Sequence, residues 1–248
     1  MRLPKELTLL SLVESSFNSR AVSHSGAAGV WQFMPDSGSE FMMVHASGGI
    51  DERISPIKST VAAARLLQRN LKILGSWPSA ISAYNNGHAK WLHVSQKDRR
   101  EPGRILTQCS KTKHLPARLG FASRNYYAEF LALLRAAHYQ DVAYGSSPEA
   151  LSQPVRFVRL DSVKPLYEVA EDHRIAPTAL LELNPDVLST KKPLPAGFLL
   201  AVPARNDDFS LVIDSSKSRS RGARKSRTKG GAALQAKADA AASGRHRG

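Results

Sequence analysis

Val13-Glu14-Ser15-Ser16-Phe17-Asn18 (residues 13–18), followed by Gly26-Ala27-Ala28-Gly29-Val30-Trp31-Gln32-Phe33-Met34-Pro35 (residues 26–35), decides how the first half of this chain reads. Upstream, Pro4 suits a first helical position and Leu7, Leu10 and Val13 follow at three-residue steps. That spacing predicts an amphipathic helix ending near Ser16, with Glu14 in its last turn. A glutamate near a helix end is ordinarily a solvated surface residue. Glu14, however, shares its segment with Leu10, Leu12, Val13 and Phe17, and a carboxyl among apolar groups has its charged form disfavoured. Such a group stays protonated nearer neutrality and can act as an acid. The small residues from Ser23 to Gly29 predict a tight loop, in which Gly26 and Gly29 allow positive φ or close backbone approach.

Working outward, Ser59 or Thr60 can cap a helix whose apolar positions are Val61, Ala64, Leu67, Leu71 and Leu74, with Gly75 as its stop. A third helix is expected after Trp77-Pro78, and a later one over about Asn125 to His138, with Phe130, Leu133, Leu134 and Ala137 on one face. From Gly145 to Pro154 the chain turns to Gly, Ser and Pro. Beyond it lie an alternating run from Val155 to Leu160, two short helical segments (Leu166 to Asp172, Thr178 to Leu183) and a closing strand at Leu199 to Val202. This is a βααβ module, marginal alone by size. The expected organisation is a mainly α fold: a helical domain over residues 1–142, a linker over 143–154, a small α+β module over 155–204 and a disordered basic tail over 205–248.

The formal net charge of +14 over 248 residues is unevenly placed. Ten Lys or Arg against one Asp lie between Ser215 and Gly248, so that stretch holds +9 and the remaining chain only +5. The body is mildly basic, which suits any polyanion and argues against a dedicated nucleic-acid reader. Beyond Asp214 the chain has almost no large apolar residue to offset chain entropy, and its charge suits anionic wall polymers, a membrane surface or nucleic acid equally. Cys109 is the only cysteine, so no intrachain disulfide can form. No apolar stretch approaches the roughly 20 residues of a bilayer span. The start, Met1-Arg2-Leu3-Pro4, reads as carrying no export signal.

Together with Ala83-Tyr84-Asn85-Asn86-Gly87, the two opening stretches resemble, in order, the signatures of lytic transglycosylases with a goose-type lysozyme fold, the SLT domain family. The Leu3-Pro4-Lys5-Glu6-Leu7 lead-in and the Trp-Gln-Phe-Met wording are most similar to the membrane-bound lytic murein transglycosylase D type. The resemblance covers roughly the first 140 residues. It implies a lysozyme-like helical domain that cuts the β-1,4 bond between N-acetylmuramic acid and N-acetylglucosamine, leaving 1,6-anhydromuramic acid ends. It also implies that Glu14 serves first as general acid and then as base, without a second carboxylate nucleophile, unlike two-carboxylate glycosidases. No metal or cofactor is implied.

By the same resemblance Ser23 lies near the acid, Gln32 and Met34 line sugar sites, and Tyr84 and Asn85 face the catalytic centre. Two alternatives stay open: Met34 as a core filler, and Tyr84 as a satisfied core tyrosine. Trp31 and Trp77 read as core residues. One departure stands out: the family's Glu-Thr-Arg-x-Tyr segment is Ala122-Ser123-Arg124-Asn125-Tyr126 here, without its glutamate.

The segment from Val155 to Pro203 resembles a divergent LysM-like module, on Leu183-Asn184-Pro185 and Leu194-Pro195-Ala196-Gly197 through Val202-Pro203. Its usual Gly-Asp-Thr-Leu opening is Ser162-Val163-Lys164-Pro165-Leu166 here. Glycan binding and structural packing against the first domain both remain open for it. The resemblance implies peptidoglycan glycan strands as partner, a monomer, and a place in the periplasm or cell envelope. The competing readings are a wall-binding protein with little or no catalysis and a hydrolytic goose-type lysozyme.

Overall fold

The computed structural model describes residues 3–92, 96–101, 121–139 and 154–204. A 3-10 turn, Lys5–Leu9, runs directly into α1 (Leu10–Ser15), so the expected first helix forms with a tightened entry. Short α2 (Pro35–Ser39) and the two-residue strands β1 (Val44–His45) and β2 (Ile50–Asp51) follow, the strands pairing antiparallel with Val44 opposite Asp51. Then come α3 (Pro56–Leu74), α4 (Trp77–Asn86), α5 (Gln96–Arg100) and α6 (Phe121–His138). The remaining elements are β3 (Val155–Arg159), α7 (Leu166–Asp172), α8 (Pro177–Leu183) and β4 (Leu199–Pro203), with β3 and β4 forming a two-stranded sheet. The fold is mainly α, and the βααβ order at the C-terminal side is the one its pattern predicts. Most of the expected linker and the expected tail lie outside the described residues.

The long helix starts earlier than expected. Ser55 is its N-cap, accepting from Lys58 N at 3.5 Å, and Pro56 takes the first helical position, where a missing N–H costs nothing. Ser59 and Thr60 lie inside the helix, their hydroxyls donating to the carbonyls of Ser55 and Pro56, each at 2.6 Å. The buried face also differs in phase: Ala62, Ala63, Leu66, Leu67 and Leu74 point inward, whereas Val61 is exposed. The small residues let α4 pack closely across the turn at Gly75, whose φ of 76° ends the helix as expected. Helix α6 packs on α4 and α1, and Leu10, Val30, Leu67, Ile81, Trp91 and Phe130 share one core.

A second core gathers Leu166, Val169, Leu180, Leu194, Phe198 and Leu200 around Ile50 of β2. The described residues of 1–152 together with 157–202 form one compact unit, and the short flanks 154–156 and 203–204 belong to another, in which Ala204 N donates to Pro154 O at 2.8 Å. Within the first unit the βααβ segment is sewn to the β1–β2 region by backbone. Asp51 N donates to Asp186 O at 2.9 Å, and Leu188 N donates to Gly49 O at 2.8 Å. Beneath these bonds Lys58 Nζ lies 2.6 Å from Asp186 Oδ2 and 3.0 Å from Glu52 Oε1, all three side chains being nearly or fully buried. It also sits 3.7 Å from the centroid of the Phe198 ring. Burial pushes the Asp186 carboxyl up, against the pull of Lys58. Removing one partner of a buried ion pair typically costs about 3–5 kcal/mol. Lys58→Ala is therefore expected to lower unfolding free energy by about 3 kcal/mol in urea melts, and a change under about 0.5 kcal/mol would contradict this reading of the seam.

Candidate active site

Glu14 is the penultimate residue of α1. Beyond it Ser16 and Phe17 take left-handed φ values of 51° and 61°, and Phe17 N reaches back to Ser11 O at 3.2 Å, closing the helix abruptly. Leu10 and Ser11 anchor the inner face of α1 in the core. Ser15 Oγ donates to Val30 O at 2.9 Å, which ties the helix end to the 26–35 loop.

That loop is held from below by Arg53. Its Nη1 donates to the carbonyls of Gly26 and Phe33 at 2.8 and 2.9 Å, while Nε and Nη2 engage both oxygens of Asp51 at 2.9 and 2.7 Å. Gly29 sits so close to this staple that an added Cβ would lie 1.9 Å from Arg53 O, and its φ is 79°. The expected close approach is therefore real at Gly29, while Gly26 has positive φ and open space.

The Glu14 carboxyl is partly buried, and its Oε1 accepts a hydrogen bond from Tyr126 Oη at 2.7 Å. Burial pushes its pKa from the ordinary 4.5 to about 7; the Tyr126 bond pulls down and the charge of Glu129 adds a further upward push. Tyr84 and Tyr126 are both held well above 10, by burial first and then by the Glu14 charge. Both phenols thus remain neutral donors when Glu14 ionises. Tyr126 uses its proton on Glu14, and Tyr84 donates to Trp31 O at 2.9 Å while packing edge-on against Trp31 and Phe33.

The other expected site residues fall as follows. Ser23 Oγ accepts from Ala27 N at 3.0 Å, so its hydroxyl oxygen braces the loop. Gln32, at φ 46°, turns its amide nitrogen inward to Gly29 O at 2.9 Å and Ala21 O at 3.2 Å. Met34 is 42 % exposed and does not fill core space. Asn85 is exposed, its Oδ1 accepting from Ser123 Oγ at 2.6 Å. Trp31 is buried with its Nε1 donating to Thr60 Oγ1 at 2.8 Å, and Trp77 packs partly buried against the same core. The structure thus brings Glu14, Tyr84 and Tyr126 into one electrostatic cluster, with Asn85 linked to α6. Sequence reasoning missed Tyr126, Ser123 and Arg53. The signal for the first two was present, since both belong to the 122–126 segment singled out for its absent glutamate. Among the described residues no group of three or more His, Cys, Asp or Glu could hold a metal ion, and no helix is long and apolar enough to cross a membrane.

Residues 1–106 match the family described as the transglycosylase SLT domain. A stretch of 89 residues is 37% identical to Membrane-bound lytic murein transglycosylase D of Escherichia coli (strain K12), covering 36% of this chain and 20% of that protein. The protein of the same name from Escherichia coli O6:H1 gives the same figures. A stretch of 107 residues is 34% identical to a "Putative tributyltin chloride resistance protein" of Alteromonas sp. (strain M-1), covering 43% of this chain and 51% of that one. The chain spans a fifth of the length of the two Escherichia coli relatives and half of the Alteromonas one.

Two outcomes follow from the Glu14 cluster. Tyr126→Phe removes a bond that favours the carboxylate, so the Glu14 titration midpoint is expected to rise by about one unit above its native value in carboxyl-carbon NMR. A fall would contradict the geometry. Because the folded-state pKa of Glu14 lies above its unfolded value, its contribution to stability is complete below about 4.5 and is lost as pH rises through about 7. Glu14→Gln should therefore flatten the stability profile across that window, gaining about 2–3 kcal/mol on the wild type by pH 8 in denaturant melts.

Proposed function

We propose that this chain is a peptidoglycan lytic transglycosylase, and one observation carries the reading: a single carboxyl that titrates near 7 while held by a tyrosine that stays neutral. A group poised near neutrality can give up a proton and take one back without a second residue changing roles. Tyr126 occupies Oε1, and Oε2 accepts no hydrogen bond among the described residues, so the transferable proton sits on Oε2. Glu14 protonates the glycosidic oxygen as the bond from muramoyl C1 to that oxygen breaks. The resulting carboxylate, stabilised by Tyr126, then takes the proton of the muramoyl C6 hydroxyl as O6 closes on C1. The product is a 1,6-anhydro end; no water is consumed, and Glu14 returns protonated.

Ser23 and Gln32 shape the loop beside the acid, and exposed Met34 and Asn85 face the strand, with Tyr84 fixing the loop carbonyl at Trp31. The 155–204 module is LysM-like and belongs to the same wall-binding function, and the basic tail favours an anionic envelope surface. An envelope or periplasmic site of action follows from the substrate and accords with the name of the Escherichia coli relatives. A hydrolytic reading is favoured by one observation, the charge of Glu129 felt at Glu14, since a second carboxylate could activate water. Purified peptidoglycan digested with this chain should give anhydro-muropeptides by mass spectrometry, with Glu14→Gln reducing their release by about 10²–10⁴-fold. Reducing-end muropeptides alone would favour hydrolysis, and undiminished cleavage by Glu14→Gln would remove the assignment of the acid.

A further inference from the structure

A cleft of about 630 Å³, not lined by Glu14, has walls from segments far apart in the sequence. Arg20 and Ile54 form one wall; Leu181, Glu182, Leu188 and Lys191 contribute to the other. The walls are fixed to each other. Leu188 N is bonded to Gly49 O at 2.8 Å, and the buried Lys58–Asp186 pair lies behind the same loop. Gly49 has φ 86°, and a Cβ there would come within 3.1 Å of Ser189 Cβ. Lys192 Nζ donates to Ser47 O across the same junction. The cleft is therefore built into the backbone of one compact unit and does not depend on a tethered module swinging into place.

Its chemistry is amphoteric. Arg20 and Lys191 are exposed cations, Glu182 is an exposed carboxylate, and none of the three takes part in an ion pair among the described residues. Between them Leu188, 47 % exposed, and Ile54 offer short apolar surface, and Ser189 and Thr190 add hydroxyls. None of the lining residues is aromatic, so the cleft lacks the flat faces on which a sugar ring would stack. It is also separate from the 162–166 segment that opens the module, none of which lines it. A ligand with carboxylates, an ammonium and small methyl groups fits where a bare sugar does not. Arg20 follows Glu14 by six residues, so their Cα atoms are no more than about 20 Å apart.

We propose that this cleft binds the peptide stem of the peptidoglycan strand whose glycan lies at Glu14, an inference that rests on the function proposed above. Arg20 and Lys191 take stem carboxylates, Glu182 takes the ammonium of a diamino acid, and Leu188 with Ile54 meets alanine methyls. The cleft makes this chain select stem-bearing strands over strands stripped of peptide.

The test uses the full chain carrying Glu14→Gln, so that bound wall is not cut, and measures its affinity for intact sacculi and for sacculi freed of stems by an amidase. Intact sacculi should bind about tenfold more tightly, the sum of two or three exposed charge contacts. Adding Arg20→Ala and Lys191→Ala should bring that ratio below about threefold, with the melting temperature serving as control since both side chains are exposed. As a second readout, titrating a soluble stem tetrapeptide should shift the Leu188 methyl signals in NMR. Equal affinity for the two sacculi, a ratio that survives the double substitution, or a tetrapeptide that leaves Leu188 unmoved would each overturn the proposal. Failure of the chain with Glu14 intact to cut either sacculus overturns the catalytic reading instead, and is read in a separate arm.

Discussion

The guanidinium of Arg53 is buried against Asp51, with both oxygens of that carboxylate engaged and its remaining donor capacity directed to the carbonyls of Gly26 and Phe33. Desolvating such a pair is costly, and the cost is offset only where the fork geometry is good and the leftover donors find acceptors. Both conditions hold here, so the pair acts as a fixed point. The loop it holds presents Val30 O to Ser15 and Trp31 O to Tyr84, and these bonds in turn settle where the end of α1 and Glu14 lie. On its other side the backbone of Asp51 donates to Asp186, and neighbouring Ile50 enters the second core. One buried ion pair thus stands between the 26–35 loop and the βααβ segment.

Around Glu14 the competing electrostatic effects are legible one by one. Burial disfavours the carboxylate most strongly, Glu129 adds to that, and the Tyr126 hydrogen bond opposes both. A carboxyl left in a dry pocket without a donor would hold its proton too tightly to give it up, because nothing would stabilise the carboxylate left behind. The phenol restores some of the balance and cannot itself ionise, because the same burial and the same charge hold its proton in place. For the proposed reaction this is the useful compromise, since one group must hold a proton at the start and accept one later.

Helical spacing was enough to place α1, α4 and the two short helices of the C-terminal segment, because their apolar periodicity is local. The start of α3 was misread because Ser59 and Thr60 look like caps until Ser55-Pro56 is recognised as a better one, with the proline already shaped for the first turn. Glu14 stood out through its apolar neighbours. Arg53 did not, since an arginine two residues from an aspartate in a polar turn gives no sign of being buried. Tyr126 lies 112 residues from Glu14, and only the packing of α6 on α1 brings the two together. The attachment of the βααβ segment was equally hidden, because β2 is two residues long and carries no alternation to read.

That attachment changes what a binding module can contribute. A module on a flexible linker raises the local concentration of an enzyme at its polymer but leaves the direction of approach free. Here Ile50 belongs to the core of the segment itself, and Lys58 and Asp186 are buried at the junction, so separating the two parts would expose apolar surface and strand a charge. Any affinity in the 157–202 part of the segment is therefore delivered to Glu14 at one separation and one orientation. For the proposed substrate, a glycan strand with a chemical polarity, a fixed pair of contacts would select one direction of threading. The ordering entropy of the second contact is met when the chain folds, so binding there can bias which bond reaches the acid as well as how long the strand stays.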